Sequence, residues 1–281
     1  MRLATALVSL LAAATLQASA ACVAPAATIT AAQRQAQAIE MLACLADPDP
    51  AVRDDLAFTT LQTWMRGGLL DAATMQSMRA TLTARLQAPD DSGVARPFAA
   101  LTLAEVVRAD RIKAFLSQAE RDALFRASVA YLASVRDYRG FDAREGWRHG
   151  VAHGADLMLQ WSVHPALDRD QQLAMLGVIA TQLRAPGQQM PPHAYRYGEG
   201  ERLMAPVFYL ARRSTLTESD WQSWFAQLLP AATAQSQASL AERHNLKGFL
   251  FPLYASLAES SDAAQRARLL PIVTKALKQL D

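Results

Sequence analysis

From about residue 30 to the end, apolar residues recur at helical spacing, and no alternating run of β-branched residues interrupts them. That periodicity confines the chain to an all-α fold. Each amphipathic helix must bury its apolar stripe against a neighbour, so the segments have to sort into packed pairs. The punctuation between them is regular. Asp47-Pro48-Asp49-Pro50 ends one helix and begins the next, because proline suits a first turn and disrupts an interior. Gly67-Gly68 closes the second helix. Ser117-Gln118-Ala119-Glu120 and Thr217-Glu218-Ser219-Asp220 have capping-box form, the second with Asp in place of Glu. Gly and Pro cluster again at 185–200, the longest loop.

The segments also echo one another. Residues 47–57 resemble the turn and second helix of a HEAT repeat, with Val52-Arg53 near the helix start. Weaker echoes are Val94-Ala95-Arg96 with Ala99, Trp147-Arg148-His149 with Ala152, Glu201-Arg202-Leu203 with Ala205, and Asn245-Leu246-Lys247 with Phe249. From Arg53 to Arg96, Arg148, Arg202 and Lys247 the intervals are 43, 52, 54 and 45 residues, helix-pair distances somewhat longer than a HEAT unit. The expectation is an α/α superhelix of HEAT-like hairpins whose second helices line a concave face. A closed α/α toroid is the alternative and would also set inner helices around a cavity.

Residues 1–20 read as a secretory signal. Arg2 is their only charge, residues 3–16 are apolar and alanine-rich, and Ala18-Ser19-Ala20 fits a small-residue cleavage site. A 21–30 arm and one helical-repeat domain, 31–281, would follow, in the periplasm or secreted. A lipoprotein start at Cys22 ranks second, because Ser19-Ala20-Ala21 lacks the usual aliphatic residue. In an oxidising compartment Cys22 and Cys44 are candidates for a disulfide; otherwise both are free thiols, with Cys44 buried between Leu42 and Leu45. The leader holds one of 28 basic residues, and the rest nearly balance 26 acidic ones, which argues against a nucleic-acid surface. No later stretch reaches 18 uncharged apolar residues, so no integral membrane segment is expected after signal removal.

Residues 136–161 hold the densest set of charged and aromatic side chains. On a helix, His149, His153 and Asp156 stand at i, i+4 and i+7 and share a face. Two histidines so spaced can reach one metal ion. Position 150 is Gly, so the base of a His-Glu-x-x-His protease is missing, and Asp156 lies about 10.5 Å along the axis from His149. A third ligand would have to come from Glu201, His193 or His244, and no metal or other cofactor is assigned. Acid/base catalysis is a second reading, with Asp156 orienting His153 and with Arg139 and Arg202 holding an anion. No serine or cysteine nucleophile is placed by any motif. The plainer reading makes His153–Asp156 and Arg139–Asp142 buried hydrogen-bonded pairs. Gly146, Gly150 and Gly154 would then form a flat stripe that lets another helix approach.

The loop at 185–198 carries His193, and Tyr195 and Tyr197 around Arg196. It is a candidate lid or partner-binding edge, or else a solvated connector. Trp221, Trp224, Phe225 and Leu228 follow helical spacing and read as core. Residues 266–280 read as an amphipathic closing helix with Lys275 and Lys278 outward.

Asp137-Tyr138-Arg139-Gly140-Phe141, Gly146-Trp147-Arg148-His149 and Ala152-His153-Gly154-Ala155-Asp156 together resemble the bacterial family of unknown function DUF2785. Arg96-Pro97-Phe98, Gly198-Glu199-Gly200-Glu201-Arg202-Leu203 and Asn245-Leu246-Lys247-Gly248-Phe249-Leu250 extend the resemblance over about residues 40–257. Arg148 departs from the pattern, which favours a small residue there. The resemblance implies an all-α, superhelical fold and no particular activity.

The expectation is therefore an exported helical-repeat protein whose concave face, around Trp147, His149, His153 and Asp156, binds an unknown peptide, protein or envelope ligand. Arg139, Trp147, Arg196, Glu201 and Arg202 are the candidate contacts. The alternative is a hydrolase or lyase with His149, His153 and Asp156 as the catalytic group.

Overall fold

Helix ends follow the capping chemistry. The computed structural model describes residues 22–229 and 235–280, so the leader read at 1–20 lies outside the described residues. Thr30 caps α1 (Ala31–Cys44) through a capping box with Gln33. Asp71 caps α3 (Ala72–Gln87), and α4 spans Ala95–Ile112. Ser117 and Glu120 close the box at α5 (Gln118–Ser134), as Thr217 and Asp220 do at α9 (Glu218–Leu228). Asp168 with Gln171 adds another such box at α7 (Arg169–Arg184). The remaining helices are α2 (Thr59–Arg66), α6 (Gly150–Ser162), α8 (Glu199–Leu210), α10 (Gln237–Ala258) and α11 (Ala263–Lys278). The described residues form 11 α-helices and almost no strand, with about 69% of the chain helical, which makes the fold all-α.

The helices pack in two rows. One runs α2, α4, α6, α8, α10; the other runs α1, α3, α5, α7, α9, α11, each helix against the next in its own row. Helix pairs such as α3–α4 and α10–α11 join the rows. The core fills the space between, with Leu61, Leu103, Leu124, Leu157, Trp221 and Phe249 all fully buried. Each such side chain contributes about 1.5–3 kcal/mol relative to exposure. Trp224, Phe225 and Leu228 are buried as the helical spacing requires, and Lys275 and Lys278 face outward. Cys22 and Cys44 are joined in a disulfide, tying the N-terminal arm to the last residue of α1. Among the described residues no helix is long and apolar enough to cross a membrane.

Two local readings need correction. The Asp47–Pro50 turn opens a π-helix, Ala51–Phe58, that runs directly into α2, instead of an ordinary α-helix. The wider turn carries Arg53 fully into the interior. Nor is everything after residue 30 helical. Phe141–Asp142 (β1) and Gly146–Trp147 (β2) pair antiparallel, Phe141 opposite Trp147. Asp142 Oδ1 accepts the backbone N–H groups of Arg144 and Glu145, a side-chain-stabilised turn that competes with helix. Gly146 closes the hairpin at φ +71°, with its Cα facing Pro50, where any Cβ would come within 2.8 Å of the proline ring.

Candidate functional site

The hairpin is fixed from beneath by Arg53. Its Nη2 donates to the carbonyl oxygens of Glu145 (3.0 Å) and Trp147 (3.3 Å), and its Nη1 to that of Asp47 (3.1 Å). The guanidinium carbon sits 4.8 Å from the centre of the Phe98 ring. Asp54 Oδ1 lies 2.7 Å from Arg53 Nε, although its angle leaves both atoms without a well-formed hydrogen bond. A buried cation is tolerated only when so surrounded. From above, Arg148 N donates to Gly140 O at 3.0 Å and His149 N to Arg139 O at 3.3 Å, continuing the ribbon to the start of α6.

His149 does not lie on the helix. It is the N-cap residue of α6, in the left-handed region at φ 49°, ψ 39°, and among the described residues it is the one non-glycine at positive φ. For a residue other than Gly this costs on the order of 1 kcal/mol, and such strain concentrates at functional sites. The turn swings the imidazole under Trp147, whose ring lies 4.2 Å away at an interplanar angle of 32°. Tyr197 meets Trp147 edge-on at 5.7 Å, and Phe141 packs on its other side at 5.0 Å. All three aromatic residues remain exposed: Phe141 by 48%, Trp147 by 38% and Tyr197 by 42%. Single exposed aromatics are ordinary; Phe141 and Tyr197, each against Trp147, form a patch with it at the pinned hairpin.

His153 does lie on α6, pointing inward. Its ring centre is 6.0 Å from that of His149 and 5.1 Å from that of Phe98, both edge-on. Desolvation pushes its pKa down to about 3, with His149 and Arg202 adding to the effect, so the ring is neutral at pH 7. Desolvation also lowers the pKa of His149, although the carboxylate of Glu199 opposes it. His149 Nε2 and His153 Nδ1 are buried without a hydrogen-bond partner. Asp156 does not pair with His153; its Oδ1 accepts from Arg202 Nη1 at 2.8 Å. Burial raises the pKa of Asp156, while Arg202 pulls it down. Beside it, buried Glu105 is held by Arg66 Nε (3.0 and 3.1 Å) and Gln62 (3.0 Å). Two carboxylates on neighbouring helices are thus each matched by an arginine.

The other candidates scatter. Arg139 is engaged by Asp137 (Nε to Oδ1, 2.8 Å), not by Asp142, so it and Arg202 are both already ion-paired. Arg196 and Glu201 are exposed near the start of α8. A hollow of about 290 Å³ brings them to His244 and Glu199. His193 stacks on Tyr138 at 5.4 Å, and His244 Nε2 lies 3.0 Å from Tyr195 O, so neither reaches the twin imidazoles. Among the described residues no group of three or more His, Cys, Asp or Glu side chains is placed to hold a metal ion. Larger hollows, of about 860 Å³ along α11 and 760 Å³ among the ends of α1 to α4, do not touch His149, His153 or Asp156. The imidazoles lie under an aromatic cap.

Arg148 turns away from His149 to donate to the Ser92 carbonyl and the Glu145 carboxylate. Gly150 and Gly154 do admit α5 closely: a Cβ on Gly154 would stand 2.9 Å from Leu132 Cδ1. Gly146 belongs to the hairpin and not to that stripe. The loop at 185–198 is anchored. Tyr195 N donates to Asn245 Oδ1 (2.7 Å) and Tyr195 Oη to Gln182 O (2.8 Å), which leaves Tyr197 at the patch.

Sequence reasoning missed Phe141, Glu105 and the buried His164–Asp110 contact (3.1 Å). The last of these joins the ends of α4 and α6. No spacing signal marks these residues, because their partners lie on other helices. Arg53 was visible only as a repeat echo.

A family model described as "Protein of unknown function (DUF2785)" matches residues 82–255, from within α3 to within α10. No curated protein and no solved structure matches the chain significantly.

Proposed function

The chain belongs to the DUF2785 family, whose description assigns no activity, and from that premise we propose that it is an exported binding module. Its ligand, a peptide, protein or envelope component, is captured on the face formed by Phe141, Trp147 and Tyr197 above His149. The observation that carries this reading is the exposure of three aromatic side chains gathered around Trp147, two of them on a hairpin held from below by a buried arginine and the third, Tyr197, from the anchored 185–198 loop. Rigid aromatic residues supply large contact area at little entropic cost, and Trp, Tyr and Arg dominate binding hot spots.

The two-row packing supports a HEAT-like superhelix. α1 and α11 make their extensive contacts with near neighbours in sequence and not with each other, which favours an open array over a toroid. The disulfide between Cys22 and Cys44 supports export, since such bonds persist in oxidising compartments. A hydrolase or lyase built on His149, His153 and Asp156 finds less support, because His153 is buried and Asp156 is held by Arg202.

The test is capture from periplasmic and envelope extracts by immobilised wild type, Trp147→Ala and Tyr197→Ala. Material retained by the wild type and lost by both variants, with their melting profiles unchanged, is the expected result. Equal retention by all three proteins would remove the patch from the account.

A further inference from the structure

Four helix ends meet around the hollow of about 760 Å³: the starts of α1 and α3 and the ends of α2 and α4. That volume is within the range of small-molecule sites, roughly 300–1,000 Å³. Met65 and Met75 are buried in its wall, Leu70 and Phe115 are half-buried, and Leu69 (42%) and Ile112 (61%) stay exposed. Contiguous apolar surface left open in this way marks a binding groove, and methionine adapts its shape to what fills one. The polar side chains of the lining divide into engaged and free. Gln35 donates through Nε2 to Leu69 O (3.0 Å) and accepts the Asp71 N–H through Oε1 (3.1 Å). Asp71 Oδ1 accepts the Thr74 N–H at 2.8 Å, and Arg66 is held by Glu105. The charged groups of Arg108, on α4, and of Lys113, its C-cap, have no hydrogen-bond or ion-pair partner among the described residues.

We propose that this hollow binds a fatty carboxylate, its acyl chain against the methionines and Ile112 and its head at Arg108 and Lys113. Charge favours that class of ligand. With Arg66 balanced by Glu105, the lining keeps two positive side chains, Arg108 and Lys113, against one negative, Asp71. The surplus of a single positive charge suits a singly charged head. Hydrogen bonding favours it too. An unbranched acyl chain brings no N–H or C=O into the hollow. A peptide laid in the same place would bring one of each with every residue, and Gln35 and Asp71, the side chains able to answer them, are already engaged. Each methylene that the hollow buries should tighten binding about fourfold, so affinity should climb with chain length. The hollow shares no residue with the aromatic patch, and its ligand is independent of whatever Trp147 captures.

The experiment follows displacement of a dansyl-labelled undecanoate from the full-length, delipidated protein by laurate, octanoate, dodecanol and N-acetyl-trileucine. Dodecanol keeps the chain without the charge, and the tripeptide keeps the carboxylate but adds amide groups. Laurate should displace the probe from one site per chain, at least about tenfold more tightly than any of the other three. Arg108→Gln and Lys113→Gln should each weaken laurate about tenfold, and Ile112→Glu by at least as much. None of the three positions is buried, so the melting temperatures of the unliganded variants should match the wild type. No saturable uptake of the probe, laurate affinity unchanged in the Arg108→Gln/Lys113→Gln double variant, or dodecanol or the tripeptide held as tightly as laurate would each overturn the proposal.

Discussion

Arg53 Nη2 donates to the carbonyl of Glu145 at 3.0 Å across 92 residues of sequence, and the same nitrogen reaches Trp147 O. A π-helix near the N-terminus therefore sets the height of the hairpin that carries the aromatic patch. Extra residues of this kind in a helix are frequent at functional sites, because they re-aim a side chain without ending the helix.

Arg53→Met tests that dependence. Hydrogen bonds from a charged donor contribute about 1.5–3 kcal/mol each, and the variant leaves buried carbonyls unsatisfied. Methionine restores part of the packing, so a net loss of about 2–4 kcal/mol is expected in denaturant unfolding. Hydrogen exchange should accelerate most at residues 140–149. Uniform acceleration across α1 to α11 would assign Arg53 to general stability instead.

Gly140→Ala separates the patch from the fold. A Cβ at 140 would lie 2.0 Å from Tyr197 Cδ2, and Tyr197 is exposed enough to swing away. The expected result is a small change in stability, within about 1 kcal/mol, with ligand capture reduced roughly tenfold through the lost Tyr197–Trp147 edge contact. Capture at the wild-type level would show that Tyr197 is not part of the binding surface.

The helices were legible in the sequence because each announces itself locally: Ser117 with Glu120, Thr217 with Asp220, and Gly67-Gly68 all act within four residues. The 136–149 segment was not, since His149 stands at helical spacing from His153, yet the backbone around it and Trp147 is held in a ribbon by Arg53 and Gly140. Tertiary contacts overrode local pattern there. The charge pairs failed for the same reason. Asp156 sits three residues from His153, but Arg202 on α8 offers a charged donor that a buried neutral imidazole does not. Burial, the quantity that decides His153, is invisible in a composition that is half apolar.

Acid stability follows from His153. Its pKa falls from 6.5 when unfolded to about 3 when folded, so between those values the unfolded chain binds the extra proton. Folding is then undisturbed above pH 6.5 and weakens as pH drops, by about 1.4 kcal/mol per pH unit for a fully buried group. His149, His164 and His193, also lowered by burial, act in the same sense; Asp156, raised by burial, acts in the opposite one. The midpoint of urea unfolding should fall from pH 6.5 to pH 4.5, and His153→Gln should flatten part of that slope. An unchanged slope in the variant would mean that His153 charges freely in the native state.

The sulfur of Cys22 can form the bond to Cys44 or a thioether to lipid, but not both. With the disulfide formed, Cys22 has no sulfur free to carry a lipid. Mass spectrometry of the protein recovered from the envelope should find the intact bond, a gain of about 2 Da on reduction, and no diacylglyceryl mass. A lipidated Cys22 would reverse this conclusion and leave Cys44 a buried thiol. The bond closes a sequence separation of 22 residues, for which restriction of the unfolded chain is worth about 3 kcal/mol. Cys44→Ser should therefore lower stability by roughly that amount, most visibly as faster proteolysis of residues 22–30, while leaving the aromatic patch and its capture assay intact. Loss of capture in this variant would tie the N-terminal arm to the binding surface, against the separation between α1 and the hairpin that the two-row packing implies.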